Sequence, residues 1–300
     1  MHDIITPGER VFRCFSYCIL AVLSLVCIAP FILIILASIT SESALVANGY
    51  SFFPKELSLD AFRYLGSRYT TILKTYGISL TVTVVGTVLS VILTTMLAYP
   101  LSRQDFPFRN ALSFFVLFTM LFNGGVVSSY FMWSRVFHIN NTIFALILPN
   151  FLVTAMNVFL VRNYFSHNIP REVIEAAQID GASEFRIFFK IMMPMAVPVI
   201  ATIALFTGLI YWNDWTNSIY YITDPNLYSI QNYLMVLIQD IQYLQSGSAG
   251  TNMATGAILQ MPSTAIRMAL AVIGVIPVLV AFPFFQKYLV KGVVAGSVKG

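Results

Sequence analysis

The chain has 300 residues, of which 58% are hydrophobic and only 10% charged, with a net charge of +4 and a mean hydropathy of +0.78. Soluble domains carry roughly a quarter charged residues, so an ordinary soluble domain is excluded. The positive balance is small and dispersed, and it does not point to nucleic acid.

A helix of about 20 apolar residues crosses a bilayer. Six stretches qualify, at 17–39, 76–99, 110–133, 141–162, 195–212 and 268–287. They predict an all-α membrane protein with six transmembrane helices in a single membrane domain, 1–300. The first stretch has no charge and no small-x-small site before a polar segment, which predicts an uncleaved span. Cys14, Cys18 and Cys27 lie in or just before it and read as small apolar packing residues. The third stretch is interrupted by Asn123-Gly124-Gly125, which predicts a shorter span and a re-entrant turn. With the N-terminus inside, eleven of the 17 Lys and Arg residues fall on inner segments, so both termini are expected in the cytoplasm. The first outer segment, 40–75, offers Ser58 as a cap for a short helix bearing Ala61, Phe62 and Leu65 on one face. The second inner loop, 100–109, reads as a tight turn.

Polar residues inside the spans lie in stripes. Thr83, Thr87, Ser90 and Thr94 recur on one face of the second stretch, and Asn150, Thr154 and Asn157 on one face of the fourth. Two readings stay open for each: hydrogen bonds between helices or the wall of a solute path. Trp212-Asn213-Asp214-Trp215 closes the fifth stretch and is open to the same choice, interface anchoring or contact with a polar solute. Ionisable groups are absent from the central part of every span, which argues against an ion-coupled carrier. The outer loop 213–266 is too long for a plain connection and carries a helix-compatible run, Ile230–Leu244.

Enzyme motifs are missing. There is no phosphate loop of the form Gly-x-x-x-x-Gly-Lys-Ser/Thr and no Gly-x-Ser-x-Gly nucleophile motif. His2, His138 and His167 are scattered, so no metal site is expected. The chemistry is concentrated instead in the inner loop 163–194. Pro170 suits a first helical turn, and Glu172 and Glu175 suit the positive end of that helix. Gly181 supplies a left-handed terminus. Ser183 then caps a second helix through Lys190, and Pro194 opens the fifth span. The sequence writes a compact knob of two helices, with Ala176 and Ala177 small enough for a partner to approach closely.

The spaced pattern Glu175-Ala176-Ala177, Asp180-Gly181-Ala182 and Pro194 resembles the coupling loop of permease subunits from binding-protein-dependent ATP-binding-cassette (ABC) sugar importers. Gly124-Gly125, Trp212-Asn213-x-Trp215 and the tail Lys291-Gly292 to Lys299-Gly300 support the likeness, which extends over the whole chain. It is nearest the maltose-permease-like group and its complex-oligosaccharide branch. The resemblance implies a type I importer permease fold in the cytoplasmic membrane, with Glu175, Ala176, Ala177, Asp180 and Gly181 as ATPase-coupling residues. It also implies a homologous second permease, two ATP-hydrolysing subunits that hold ATP and magnesium, and an extracytoplasmic solute-binding protein. The chain itself would carry no cofactor, and the cargo would be a carbohydrate. An ion-coupled sugar carrier and a non-transporting membrane assembly protein are the competing readings.

Overall fold

The computed structural model describes residues 7–149, 151–245 and 263–297, and among these the chain is almost wholly helical. The helices are α1 (Pro7–Ser38), α2 (Glu42–Asn48), α3 (Asp60–Gly66), α4 (Tyr69–Ser102), α5 (Arg109–Leu121), α6 (Gly125–Phe131) and α7 (Phe144–Ile147). They continue with α8 (Ala155–Asn168), α9 (Arg171–Ile179), α10 (Glu184–Ile187), α11 (Val197–Asn213), α12 (Thr216–Tyr221), α13 (Ile230–Gln245) and α14 (Ser263–Ser297). Contacts divide the chain into two compact units, Met1–Tyr69 with Leu237–Ile276 and Thr70–Val236 with Pro277–Gly300.

In the first unit, α1 carries no charge beyond Arg13 and exposes apolar side chains all round, Phe15 at 63% and Leu25 at 68% among them. A helix that is hydrophobic on every side is at home in lipid or under another subunit, not in water. Ser58 accepts from the Asp60 amide at 3.0 Å at the head of α3, whose Ala61 and Leu65 are buried. The Glu42 carboxylate accepts from the amides of Thr264 and Ala265 at 2.9–3.0 Å. It thereby caps the first turn of α14, where unpaired amides and the helix dipole favour an anion.

Three helices among the described residues are long and apolar enough to cross a membrane, or up to five if each of two bent pairs forms one span. The structure departs from the expected six at the fourth stretch, 141–162. Asn141 takes a left-handed φ of 54°, helix lasts only from Phe144 to Ile147, and it resumes at Ala155. Pro149 cannot donate to a helical ladder. The Asn141 side-chain oxygen instead accepts from the amides of Thr223 and Asp224 at 2.7 and 3.1 Å, holding the start of the stretch as a loop.

The third stretch breaks where Asn123-Gly124-Gly125 interrupts it. α5 and the helix over Gly125–Val136 are bent by 112°, with Gly125 at φ 78° and its amide donating to the Asn123 side chain at 2.8 Å. The fifth stretch begins differently from expectation. Helix runs from Glu184 through a π-turn at Phe188–Met192 and on past Pro194 to Met195, then breaks at Ala196 with an 80° bend. It is Pro198, in the first turn of α11, that opens the next segment. In the segment 213–245, the chain forms α12, a 3-10 turn at Pro225–Leu227 and α13, which covers the predicted run. Residues 246–262 lie outside the described residues.

Among its described residues the second unit gathers two apolar cores. One gathers Ala98 and Leu101 of α4, Val158, Val161 and Phe165 of α8, Ile174 and Ala177 of α9, and Ile187 of α10. The other gathers Val82, Leu146, Tyr211 and Tyr221.

Candidate functional site

The loop 163–194 is built as two short helices around a glycine corner. Pro170 sits with extended backbone (φ −62°, ψ 138°) one residue before α9, a position earlier than expected. At the far end Asp180 completes the last turn and Gly181 takes φ 71°. The Gly181 amide donates to Gln178 at 3.0 Å, and the Ala182 amide donates to Ala177 at 2.9 Å. This pair of bonds is the Schellman closure, which requires a left-handed residue at the corner and so favours glycine. Ser183 then accepts from the Arg186 amide at 3.4 Å and starts α10.

Ile174 and Ala177, three apart on α9, turn inward and are buried with Ala98, Leu101 and Phe165. Glu175, Ala176, Asp180 and Gly181 face solvent. Of the two alanines expected at a partner surface, Ala176 is exposed, while Ala177 is 9% exposed and belongs to the core. Sequence reading passed over two apolar side chains that stand beside this face, Ile179 at 87% exposure and Phe185 at 71%.

Glu184 ties this loop to the long helix behind it. Its carboxylate accepts a hydrogen bond from the phenol of Tyr99 on α4 and one from the Gln178 side chain at 3.1 Å, and it stands 3.8 Å from the Arg103 guanidinium. Arg103 in turn grips Asp105 through paired bonds of 2.9 and 2.8 Å. That charge-assisted bond holds the Asp105 carboxyl below the usual carboxylate range. Polar bonds thus join α9 and α10 to the end of α4.

The candidate path residues divide. Asn150 lies outside the described residues. Asn157 is buried, and its amide donates to Thr154 at 3.0 Å and to Thr207 on α11 at 3.2 Å, a bond between helices. Trp212 is buried with its ring 5.8 Å from Tyr76. Asp214 is buried and accepts from the amides of Thr216 and Asn217 at 3.0 and 3.2 Å, capping α12. Asn213 and Trp215 are exposed, the Asn213 amide donating to Leu209 at 2.8 Å.

The threonine stripe behaves otherwise. The hydroxyls of Thr83, Thr87, Ser90 and Thr94 are shut from solvent and have no hydrogen-bond partner among the described residues. Thr83 and Thr87 line a cavity of about 340 Å³ between α4, α11 and the Pro277–Phe285 stretch of α14. Gly208 brings α11 close here, since a Cβ on it would sit 3.5 Å from the Thr87 hydroxyl.

A bundle of long apolar helices with a capped two-helix knob and no phosphate loop of its own is the form of a transporter's membrane subunit. The chain belongs to the family described as binding-protein-dependent transport system inner membrane component, which matches residues 6–295. It is therefore a multi-pass membrane permease of ABC importers, a family whose members work with ATPase and solute-binding partners and are not themselves enzymes.

Two Bacillus subtilis proteins are similar to it along their whole length. The polygalacturonan/rhamnogalacturonan transport system permease protein YtcP is 39% identical, covering 97% of this chain and 99% of that protein. Protein LplC is 37% identical, covering 100% and 98%. The arabinooligosaccharides transport system permease protein AraQ of Halalkalibacterium halodurans is 29% identical over 93% of this chain and 94% of its own length. Among solved structures, a chain of a bacterial ABC transporter involved in the import of the acidic polysaccharide alginate superposes with a TM-score of 0.77 at 29% identity, covering 95% of this chain and 99% of that one.

Proposed function

We propose that this chain is the membrane-spanning subunit of an ATP-driven importer that moves an oligosaccharide into the cell. The carbohydrate class rests on the relatives, whose names specify polygalacturonan/rhamnogalacturonan and arabinooligosaccharides. The subunit sits in the cytoplasmic membrane with both termini inside. It pairs with a homologous permease, two ATP-hydrolysing subunits that hold ATP and magnesium, and an extracytoplasmic solute-binding protein.

In this reading the ATPase grips the outer face of α9 and its glycine corner, formed by Glu175, Ala176, Asp180 and Gly181. Ala177 supports that face from the core side. The observation that carries the reading is this exposed, Schellman-closed face together with the Glu184 bonds that link it to α4. ATP-driven closure then reaches the bundle as a push on a stiff element, giving alternating access. Thr154, Asn157 and the Trp212–Trp215 segment are assigned to the walls of the solute path, with Asn157 and Asp214 shaping it through their internal bonds.

Gly181→Pro tests the reading, because proline can neither adopt φ 71° nor donate to Gln178. In proteoliposomes holding the whole importer, uptake should fall by at least about tenfold while the variant chain still inserts and melts cooperatively. Uptake at the native rate would remove α9 from the coupling role.

A further inference from the structure

A cleft of about 440 Å³ opens where the turn after α4 and the start of α5 face the end of α8 and the inner side of α9. Four arginines line it: Arg103, Arg109, Arg162 and Arg171. Arg103 is engaged by Asp105. The other three guanidiniums share the cleft with one further carboxylate, Glu175, and none forms an ion pair within 4.0 Å among the described residues.

Arg162 is held in place by a bond from Nε to the Leu101 carbonyl at 3.1 Å. Arg109 Nε is closed off from solvent and has no hydrogen-bond partner among the described residues. The two side chains stand near enough for their charges to repel. A buried donor without an acceptor and a pair of confined like charges are both unfavourable. An anion seated between them relieves the confined like charges, and guanidinium forks match phosphate oxygens.

Position says which anion. Arg109 begins the third apolar stretch and Arg162 ends the fourth, so the cleft opens at the level where a bilayer carries its headgroups. The exposed rings of Phe114 (61%) and Phe115 (64%) continue along α5 from the same point, offering a path for acyl chains. Basic pockets between membrane helices are where anionic headgroups are held.

We infer that the cleft is a binding site for a phosphate-bearing anion, supplied by an anionic phospholipid headgroup or by free phosphate. The inference stands apart from the identity of the transported solute. Ile174 and Glu175 of α9 line the same cleft, Glu175 at the edge it shares with the face proposed to meet the ATPase.

The full-length chain in detergent is titrated with phosphatidylglycerol and with phosphatidylcholine and read by native mass spectrometry, and separately with inorganic phosphate and read by thermal shift. Phosphatidylglycerol should bind in preference to phosphatidylcholine. Arg109→Gln/Arg162→Gln should weaken it by about tenfold, while Arg109→Lys/Arg162→Lys keeps most of the affinity. Arg10→Gln/Arg13→Gln, which removes the same charge elsewhere, should leave binding unchanged. Inorganic phosphate that stabilises the chain and displaces the lipid identifies the free ion as the source; lipid retention against phosphate identifies the headgroup. Should the glutamine pair fail to fold, Arg171→Gln at the exposed rim replaces it, with a loss of about threefold expected. Binding of neither probe, an undiminished glutamine variant, or equal losses in the cleft and the Arg10/Arg13 variants overturns the site.

Discussion

The phenol of Tyr99, on the last turns of α4, donates a hydrogen bond to the carboxylate of Glu184 at the head of α10, 85 residues later in the chain. With Gln178 on the same carboxylate, one acidic side chain joins the end of a membrane-length helix to both halves of the inner knob. Tyr99→Phe keeps the ring packed at a tilt against Phe188 and removes only the donor. It should lower stability by about 0.5–1.5 kcal/mol and reduce solute moved per ATP hydrolysed. Thermal unfolding and paired uptake and hydrolysis assays in proteoliposomes check the two effects. A variant that melts lower yet transports with native stoichiometry would make the bond structural only.

Ala176 and Ala177 are neighbours in the chain with opposite surroundings. Ala177→Leu overfills the core between Ile174 and Leu101 and should destabilise the subunit by about 1–3 kcal/mol. Ala176→Leu projects from the exposed face and should leave the melting temperature within about 1–2 °C, a shift below that of a 1 kcal/mol change, while uptake falls. Melting curves and uptake on the two variants separate packing from docking.

Gly86 faces Tyr211 so closely that a Cβ there would meet the ring at 2.5 to 2.8 Å. Tyr211 is fixed by its own bond to the Ile147 carbonyl at 2.8 Å, so it has little room to yield. Gly86→Ala should cost about 1–3 kcal/mol. Gly86→Ala/Tyr211→Leu should recover part of that loss, giving a non-additive cycle in thermal unfolding.

Asp214 follows the last residue of α11, and burial pushes its carboxyl up to about 6 despite two amide bonds. A carboxyl raised in the folded state binds its proton more tightly there than in the unfolded chain. Stability therefore rises as pH falls from 7 through about 6 and levels off near the ordinary value of 3.8. The gain is on the order of 1–3 kcal/mol. Asp214→Asn keeps the acceptor for Thr216 and Asn217 but cannot titrate. Its melting temperature should vary less between pH 7 and 5 than that of the parent.

Local rules were readable in the chain because they act over a few residues. Gly181 and Ser183 announce the corner and cap, Asn123-Gly124-Gly125 announces the bend, and Ile230–Leu244 announces α13. The fourth stretch misled because its hydropathy is high while Pro149 and the Asn141 clasp, whose partners lie about 80 residues away, undo the helix. The inward turn of Ala177 was equally hidden, since two adjacent alanines look alike until a core forms around Ile174. Glu184 carried no signal of its role in the sequence, because only the fold brings Tyr99 to it. The threonine stripe was visible by spacing, but that its hydroxyls find no partner among the described residues is a matter of packing.

The central claim, that the outer face of α9 is where ATP-driven work enters the bundle, is tested most directly by cross-linking. On a background with Cys14, Cys18 and Cys27 replaced by serine, Ile179→Cys presents a thiol at a site 87% exposed. In membranes holding the assembled importer, a short bifunctional thiol reagent should join this position to the ATP-hydrolysing subunit, and the joined complex should stop both hydrolysis and uptake. If Ile179→Cys forms no adduct with that subunit while the importer still transports, the ATPase docks elsewhere and the account of α9 is wrong.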